Sequence, residues 1–355
     1  MKKSLINILK FSLFLGIGLV ILYLVYKHQN TAYLAECGLR GIPESECSLI
    51  DKVIQDFKGA NYFWILLVLV AFTLSNISRA IRWNMLMRPL GYQPRLINSF
   101  LAVVIGYFAN LGFPRMGEII RPATISRYEK IPLESAIGTI VTDRILDVIS
   151  ILILTAAVLF IEFDNIWSFL LENGSFGEKL DTLQRVGFYF FVCVLLALTA
   201  FWIFRKTLMN NPLFTKLKEI GLGFWNGILS IRKVKRIGLF IFHSINIWFM
   251  YFMMTWLCFF AFAPTAHLPM VAALIVFVFG GWGVVIPSPG GMGTYHFMVI
   301  AALSIYGISG DDAFSWANIA FFSIQLGVNI FIGMLALILL PIINKEHKAI
   351  RTEGT

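Results

Sequence analysis

The chain has 355 residues, of which 58% are hydrophobic and 14% charged, and its formal net charge is +9. A soluble domain is nearer half apolar and a quarter charged, so this composition excludes a disordered protein, a coiled coil and a typical soluble enzyme. The apolar residues lie in long runs almost free of charge, which is typical of an all-α, polytopic integral membrane protein.

Six apolar runs are long enough to be predicted as membrane spans. In chain order they are 5–26, 61–79, 136–161, 186–204, 238–262 and 315–341. Two further apolar stretches, 97–113 and 268–308, are interrupted by Gly and Pro. The first is too short to cross a bilayer twice, because one helical span needs about 20 residues. We therefore predict about six full spans and two re-entrant hairpins or pairs of short helices.

The charges of the connecting segments predict on which side of the membrane each one lies. Segment 205–237 holds eight basic residues and one acidic residue, and segment 79–96 holds four arginines and no acid. Short basic loops stay in the cytoplasm, so we place both termini and three segments there: 79–96, 114–135 and 205–237. The segments placed outside are 27–60, 162–185 and 307–314.

Two similar turns predict that the chain has two halves. One reads GFPRMGE at 112–118 and the other PSPGGMGT at 287–294, and they would enter the membrane from opposite faces. Broken segments of this kind indicate an inverted repeat, although Gly and Pro also permit kinks in ordinary spans. The predicted parts of this single transmembrane domain are half one at 1–204, a connector at 205–237, half two at 238–341 and a short cytoplasmic tail at 342–355.

The connector 205–237 has a pattern of its own. Its apolar residues recur at helical spacing and are flanked by Lys and Arg. This pattern predicts an amphipathic helix on the inner leaflet, whose anionic lipids attract basic residues. A short connector between the two halves is the alternative.

A group of three charges lies inside the apolar run 136–161. Asp143 and Asp147 are four residues apart, and Arg144 is three residues before Asp147, so a helix brings all three close together. Charged groups at membrane depth are costly and usually mark functional sites. We predict one arginine held by two carboxylates in the transport path; a buried ion pair that only fixes helix packing is the alternative.

A second group follows the first turn. Arg115, Glu118 and Arg121 recur every three residues, so a helix that begins here would carry them on one side. A helix N-terminus with two arginines suits a phosphate, because guanidinium forks match phosphate oxygens. We predict a lipid head-group site, with positive-inside anchoring as the alternative.

The second turn supplies the remaining candidates for the transport path. Its glycines let the backbone approach a ligand closely, and amides at a broken helix are available to an anion. His296 follows the turn and could titrate, although a single His in a span is more often a structural hydrogen-bond partner. The candidate residues here are Pro287, Pro289, Gly290, Gly291, Gly293 and His296.

Cys37 and Cys47 share a segment assigned to the oxidising side, with nine residues between them, and we predict that they form a disulfide. Common enzyme signatures such as G-x-S-x-G, H-E-x-x-H and the Walker loop are absent from the sequence, as is His spacing suited to a metal. We therefore expect no catalytic residues, no metal and no cofactor. We also expect no nucleic-acid partner, because no basic face lies on a soluble fold.

Three motifs together resemble a known family. GFPRMGEIIRP, then TDRILD about 20 residues later, then PSPGGMGTYH resemble the transmembrane region of lysylphosphatidylglycerol synthases, which also occurs alone as a flippase-like membrane protein. The resemblance implies an all-helical, flippase-like domain with re-entrant helices. Full-length synthases add a soluble aminoacyl-transferase domain after this region, so the resemblance does not carry lysyl transfer over to this chain. Two positions depart from the family pattern: Asp143 stands where Glu is usual, and His296 stands where many members have an acidic residue.

The sequence thus predicts a multi-pass protein of a bacterial cytoplasmic (inner) membrane that flips a lipid or lipid-linked anionic head group between leaflets. Its expected partners are the bilayer and a membrane phospholipid or lipid-linked substrate. A homo-oligomer and a complex with a partner enzyme are both compatible with this interpretation. The alternatives are a membrane-embedded lipid-modifying transferase and a non-transporting subunit that presents lipid to a separate enzyme.

Overall fold

The computed structural model describes residues 47–112, 115–164, 234–286 and 291–345, together with 19–20, 22–24, 26–31, 33–35, 37–38 and 43. The predicted span 186–204, most of 5–26 and nearly all of the connector 205–237 lie outside the described residues. The chain divides into two units, Met1–Thr155 with Lys233–Thr355 and Ala156–Arg232. The packing and the sites discussed below belong to the first unit.

Every regular element in the described residues is helical. The helices are α1 (Leu49–Gly59), α2 (Tyr62–Met87), α3 (Leu96–Gly112), α4 (Gly117–Glu129), α5 (Leu133–Ile161), α6 (Ile237–Phe259), α7 (Met270–Val285), α8 (Thr294–Ser304) and α9 (Gly310–Ile343). Helices α2, α5, α6 and α9 are long and apolar enough to cross a membrane. The prediction of an all-α, polytopic membrane protein is confirmed.

Helix α2 corrects one predicted boundary. The sequence prediction ended this span at Arg79, but the helix continues to Met87. It begins at an Asn61 cap, whose side chain accepts a hydrogen bond from the Phe63 amide at 3.1 Å. It ends just before Pro89, whose ring cannot continue an α-helix. The last two turns of α2 are therefore part of the buried helical bundle.

The described helices repeat one order of lengths. From α2 to α5 the helices have 26, 17, 13 and 29 residues, and from α6 to α9 they have 23, 16, 11 and 34 residues. Each set is a long helix, two short helices and a second long helix. This repeated order supports the predicted organisation into two halves.

The first helices of the two sets, α2 and α6, run antiparallel against each other. The Asn61 amide at the start of α2 donates to the Ala261 carbonyl just after the end of α6, at 2.8 Å. Ser78, near the other end of α2, contacts His243 and Asn246 in the first part of α6. Equivalent helices of opposite direction are the arrangement that an inverted repeat requires.

The contacts between the two sets of helices are reciprocal as well. In one direction, Gly333 of α9 lies so close to Phe108 of α3 that a Cβ atom would come within 2.5 Å of the Phe108 Cβ. In the other direction, the Trp282 indole of α7 donates to the Thr155 hydroxyl of α5 at 3.0 Å. The second helix of each set therefore contacts the fourth helix of the other set.

In both pairs of short helices, glycines allow the two helices to approach each other closely. In the α3–α4 pair, Gly117 lies against the Gly106 backbone, and its amide donates to the Asn110 side chain at 2.7 Å. In the α7–α8 pair, a Cβ on Gly283 would lie 2.8 Å from the Tyr295 Cα. Larger residues would separate the helices. The stretch 97–113 is a single helix, α3, and its partner α4 lies in the segment that follows it. The stretch 268–308 contains both helices of its pair, α7 and α8.

Helix α1 is held to α9 by an ion cluster. Lys52 Nζ lies 2.9 Å from Asp56, 3.6 Å from Asp311 and 2.6 Å from Asp312. Partial burial lowers the pKa of Lys52, but the bonds and charges of Asp312 and Asp56 outweigh it and leave that pKa above its usual value. Lys52 therefore keeps its charge well into the alkaline range, and its contribution to the link is lost as the pH rises through its raised pKa.

The segment before α1 carries the two cysteines of the predicted disulfide. The structure joins Cys37 and Cys47, with their Cα atoms 6.4 Å apart and both side chains buried. We expect mass mapping without reductant to find both thiols blocked, and Cys47→Ser to lower local stability by about 2–3 kcal/mol, as for a short closed loop. Complete alkylation of both cysteines in the unreduced protein would contradict this expectation.

The predicted sidedness can be tested with two exposed glutamines. Gln55 lies on α1 and Gln93 lies between α2 and α3. In intact cells, Gln55→Cys should react with an impermeant maleimide, whereas Gln93→Cys should react only after the membrane is opened, because basic loops face the cytoplasm. Labelling of both positions from the same side would show that the predicted sidedness is wrong.

Candidate functional site

Six charged side chains meet inside the bundle. We call this group the arginine cluster; its members are Arg79 and Arg82 of α2, Arg121 of α4, and Asp143, Arg144 and Asp147 of α5. The three helices bring together groups that are far apart in the sequence. All of them except Arg144 and Asp147 are buried.

Asp143 is the centre of the cluster and is 0% exposed. Its Oδ1 accepts from Arg82 Nη2 at 2.6 Å and from Arg82 Nε at 3.0 Å. Its Oδ2 accepts from Arg121 Nη1 at 3.0 Å and from Arg79 Nη1 at 3.2 Å. The Arg144 guanidinium is also within 3.4 Å. One carboxylate therefore holds side chains from all three helices.

Asp147 is the second carboxylate and is 14% exposed. It accepts from Arg79 at 2.8 Å and from Arg82 at 2.7 Å, and it lies 3.0 Å from Arg144. Arg144 thus contacts both carboxylates, as predicted, but it is only one of the four arginines around them. The carboxylates are shared among several arginines because α2 and α4 bring further guanidinium groups to the same place on α5.

Aromatic side chains complete the surroundings of the cluster. Arg79 Nη2 donates to the Tyr251 hydroxyl at 3.3 Å, and that hydroxyl lies 2.6 Å from the Tyr107 hydroxyl. The Arg121 guanidinium lies 4.1 Å from the centre of the Trp83 ring. Stacking of this kind stabilises an arginine that is only partly hydrogen-bonded.

The charges of the cluster do not cancel. Four guanidinium groups face two carboxylates, which leaves a net charge of +2. Several buried N–H groups also lack a hydrogen-bond partner in the described residues: Arg79 Nε, Arg82 Nη1, Arg121 Nε and Nη2, and Arg144 Nε. A buried positive excess with unused donors is suited to an anion.

An apolar groove of about 550 Å³ lies beside the cluster, between α5, α6 and α7. It is lined mainly by aliphatic and aromatic side chains and includes Ser150 and Trp248. Ser150 lies three residues after Asp147, which is less than one helical turn. The Trp248 ring packs edge-on against Tyr251, with ring centres 6.0 Å apart. The groove therefore begins next to the charged groups.

The three residues predicted for one helix face are separated in the structure. Arg121 is buried in the cluster, whereas Glu118 is exposed on α4. Arg115 is also exposed and precedes the helix, with a φ of 62° that is uncommon for a residue with a side chain. The prediction of a shared face is wrong, because α4 begins only at Gly117 and buries the face of Gly117 and Arg121.

The second turn is only partly described. Pro287, Pro289 and Gly290 lie outside the described residues. Gly291 and Gly293 have φ values of 82° and 81°, which favour glycine. His296 is fully buried, with its ring centre 4.8 Å from that of Phe321. Within the described residues, no hydrogen bond or ion pair joins His296 to the arginine cluster, so its predicted place in a transport path remains a prediction.

Comparison with known proteins identifies the family. The family model described as the lysylphosphatidylglycerol synthase TM region matches residues 49–347. The chain belongs to this family. The resemblance predicted from the three motifs is confirmed, and the protein is a multi-pass membrane protein.

One curated relative is also similar. A UPF0104 membrane protein of Methanocaldococcus jannaschii is 32% identical over 113 residues, which make up 31% of this chain and 34% of that protein. The matched part is thus about a third of the relative's length. No solved structure matches the chain significantly.

The sequence does not predict Arg79 and Arg82 as site residues of this family member. Both were assigned to a cytoplasmic loop because they begin a basic segment without acids. The apolar residues that follow them, Trp83 and Met85 to Met87, were the available signal. They continue the helical pattern past both arginines, and all of them are buried.

Proposed function

We propose that this protein moves a lipid with an anionic head group between the two leaflets of the membrane in which it lies. The observation that carries the proposal is the arginine cluster, with its net charge of +2 and its unused N–H donors. Such an excess inside membrane-spanning helices is costly unless an anion or water compensates it.

The adjoining groove supports a lipid rather than a small polar anion as cargo. Its apolar walls suit an acyl chain, and its start beside Asp147 and Tyr251 would place the head group at the arginines. A volume of about 550 Å³ falls within the range of about 300–1,000 Å³ that is usual for ligand sites.

The predicted division into two halves suggests how the lipid could cross the membrane. Equivalent helices of opposite direction let one half rock against the other, so that a central site opens first to one side and then to the other. The proposed location is the cytoplasmic membrane of a bacterium, with the basic loops inside. The cluster residues bind and release the head group in this scheme, and they carry out no covalent chemistry.

Replacement of Arg121 tests the proposal. Arg121→Gln lowers the charge excess of the cluster and removes two buried unused donors, while Asp143 keeps its contacts with Arg79 and Arg82. In proteoliposomes, the rate at which a fluorescent anionic lipid becomes accessible to dithionite should fall about tenfold, the value of one charge-assisted hydrogen bond.

Arg127→Gln is the matched control. Arg127 lies on the same helix, but its side chain is exposed and contacts Tyr128 rather than the cluster. This variant should translocate lipid at the parental rate. Equal rates for both variants and the parent would contradict the proposal, and consumption of an activated donor by the purified protein would favour a lipid-modifying transferase instead.

A further inference from the structure

We propose that the lipid bound at the arginine cluster carries its head-group charge as a phosphomonoester, a terminal phosphate with two negative charges, while its acyl chain lies in the groove between α5, α6 and α7. This inference rests on the site of the proposed function and specifies the chemical class of its ligand. It follows from the charge balance, the unused donors and the position of the groove.

The charge balance favours two negative charges. The cluster has four arginines and two aspartates, and no other carboxylate of the described residues lies within 4 Å of these arginines. A dianionic head group brings the net charge of the occupied site to zero. A phosphodiester would leave one positive charge, and a zwitterionic head group would leave two. Uncompensated charge away from water is strongly unfavourable, so the dianion fits best.

The unused donors favour a terminal phosphate. They belong to guanidinium groups on α2, α4 and α5, which meet around the same two carboxylates. A phosphomonoester offers three non-bridging oxygens, whereas a phosphodiester offers two. Arginine binds such oxygens in pairs through its planar fork. Donors from three helices therefore match the ligand with more acceptor oxygens.

The groove favours a lipid over free phosphate. It starts within one helical turn of Asp147 and extends along residues of α6 and α7, such as Ser244 and Leu274. Arg144, at 37% exposed, is the most open member of the cluster. The inference therefore places the head group at the accessible Arg144 and the acyl chain in the apolar groove.

Lipid binding to the purified full-length chain tests the inference. We would measure the retention of phosphatidic acid, phosphatidylglycerol and phosphatidylcholine with identical acyl chains by native mass spectrometry. Phosphatidic acid should bind about tenfold more tightly than phosphatidylglycerol, the factor expected from one further charge-assisted bond. Its advantage should grow between about pH 5 and pH 8, because a phosphate monoester loses its second proton near about pH 6.

Two tryptophan variants test the groove separately from the cluster. Ser244 lines the groove, and its hydroxyl donates to the Phe240 carbonyl of its own helix. Ser244→Trp should fill the groove and weaken the binding of phosphatidic acid about tenfold, since an acyl chain then loses its apolar contacts. Ser304 makes the same kind of bond at the exposed end of α8, and Ser304→Trp should bind like the parent.

The outcomes separate this inference from the proposed function. Equal binding of phosphatidic acid and phosphatidylglycerol would overturn the assignment of a dianion. Inorganic phosphate or glycerol 3-phosphate that binds as well as phosphatidic acid, or a Ser244→Trp protein that binds normally, would overturn the lipid assignment. Selective binding of phosphatidic acid without translocation would support the inference and refute the proposed function. Translocation of anionic lipids without any head-group preference would support the proposed function and refute the inference.

Discussion

Replacing Arg144 by lysine should leave the protein folded and remove most of its lipid translocation. Arg144 is the most exposed member of the arginine cluster, and lysine keeps its positive charge beside Asp147. Lysine lacks the planar fork that binds phosphate oxygens in pairs. We expect a parental melting temperature and gel-filtration profile in detergent, and a rate of translocation in proteoliposomes that is lower by about tenfold or more.

Arg95→Lys provides the matched control for this experiment. Arg95 is 34% exposed and also faces a carboxylate, Glu129, but it lies outside the cluster. It should retain parental translocation. If a well-folded Arg144→Lys protein translocates lipid at the parental rate, Arg144 belongs to the packing of the bundle and not to the transport path.

Replacing Asp143 by asparagine should have the largest effect on stability. Asp143 is 0% exposed and contacts all four arginines of the cluster. Asparagine has nearly the same shape but no charge, so the buried excess rises from two positive charges to three. Breaking a buried ion pair on one side costs about 3–5 kcal/mol. We expect a loss of this size in the free energy of unfolding, measured with denaturant in detergent micelles.

Asp147→Asn is the comparison for this variant. Asp147 is 14% exposed, so water can partly solvate the arginines that it leaves. Its loss of stability should be clearly smaller than that of Asp143→Asn. Equal losses, or a stable Asp143→Asn protein, would show that Asp143 does not organise the cluster.

The sequence alone determined the membrane character of the protein and much of its helix order. Long apolar runs without charges are typical of membrane spans. Such spans must be helical, because a chain in lipid satisfies its backbone hydrogen bonds within each helix. The same logic identified Asp143, Arg144 and Asp147, since charge in the middle of a span is conspicuous. The three motifs, with their order and spacing, were sufficient to recognise the family.

Only the tertiary structure decided which further charges join that group. An arginine near the end of an apolar run is equally compatible with a cytoplasmic loop and with a buried helix end, and Arg79 and Arg82 are such residues. Their assignment depends on α5, which presents two carboxylates beside α2. The burial of Arg121 in the cluster depends in the same way on contacts between distant segments. So does the groove between α5, α6 and α7. Periodicity within one segment carries no information on such contacts, because they form only when the helices pack together.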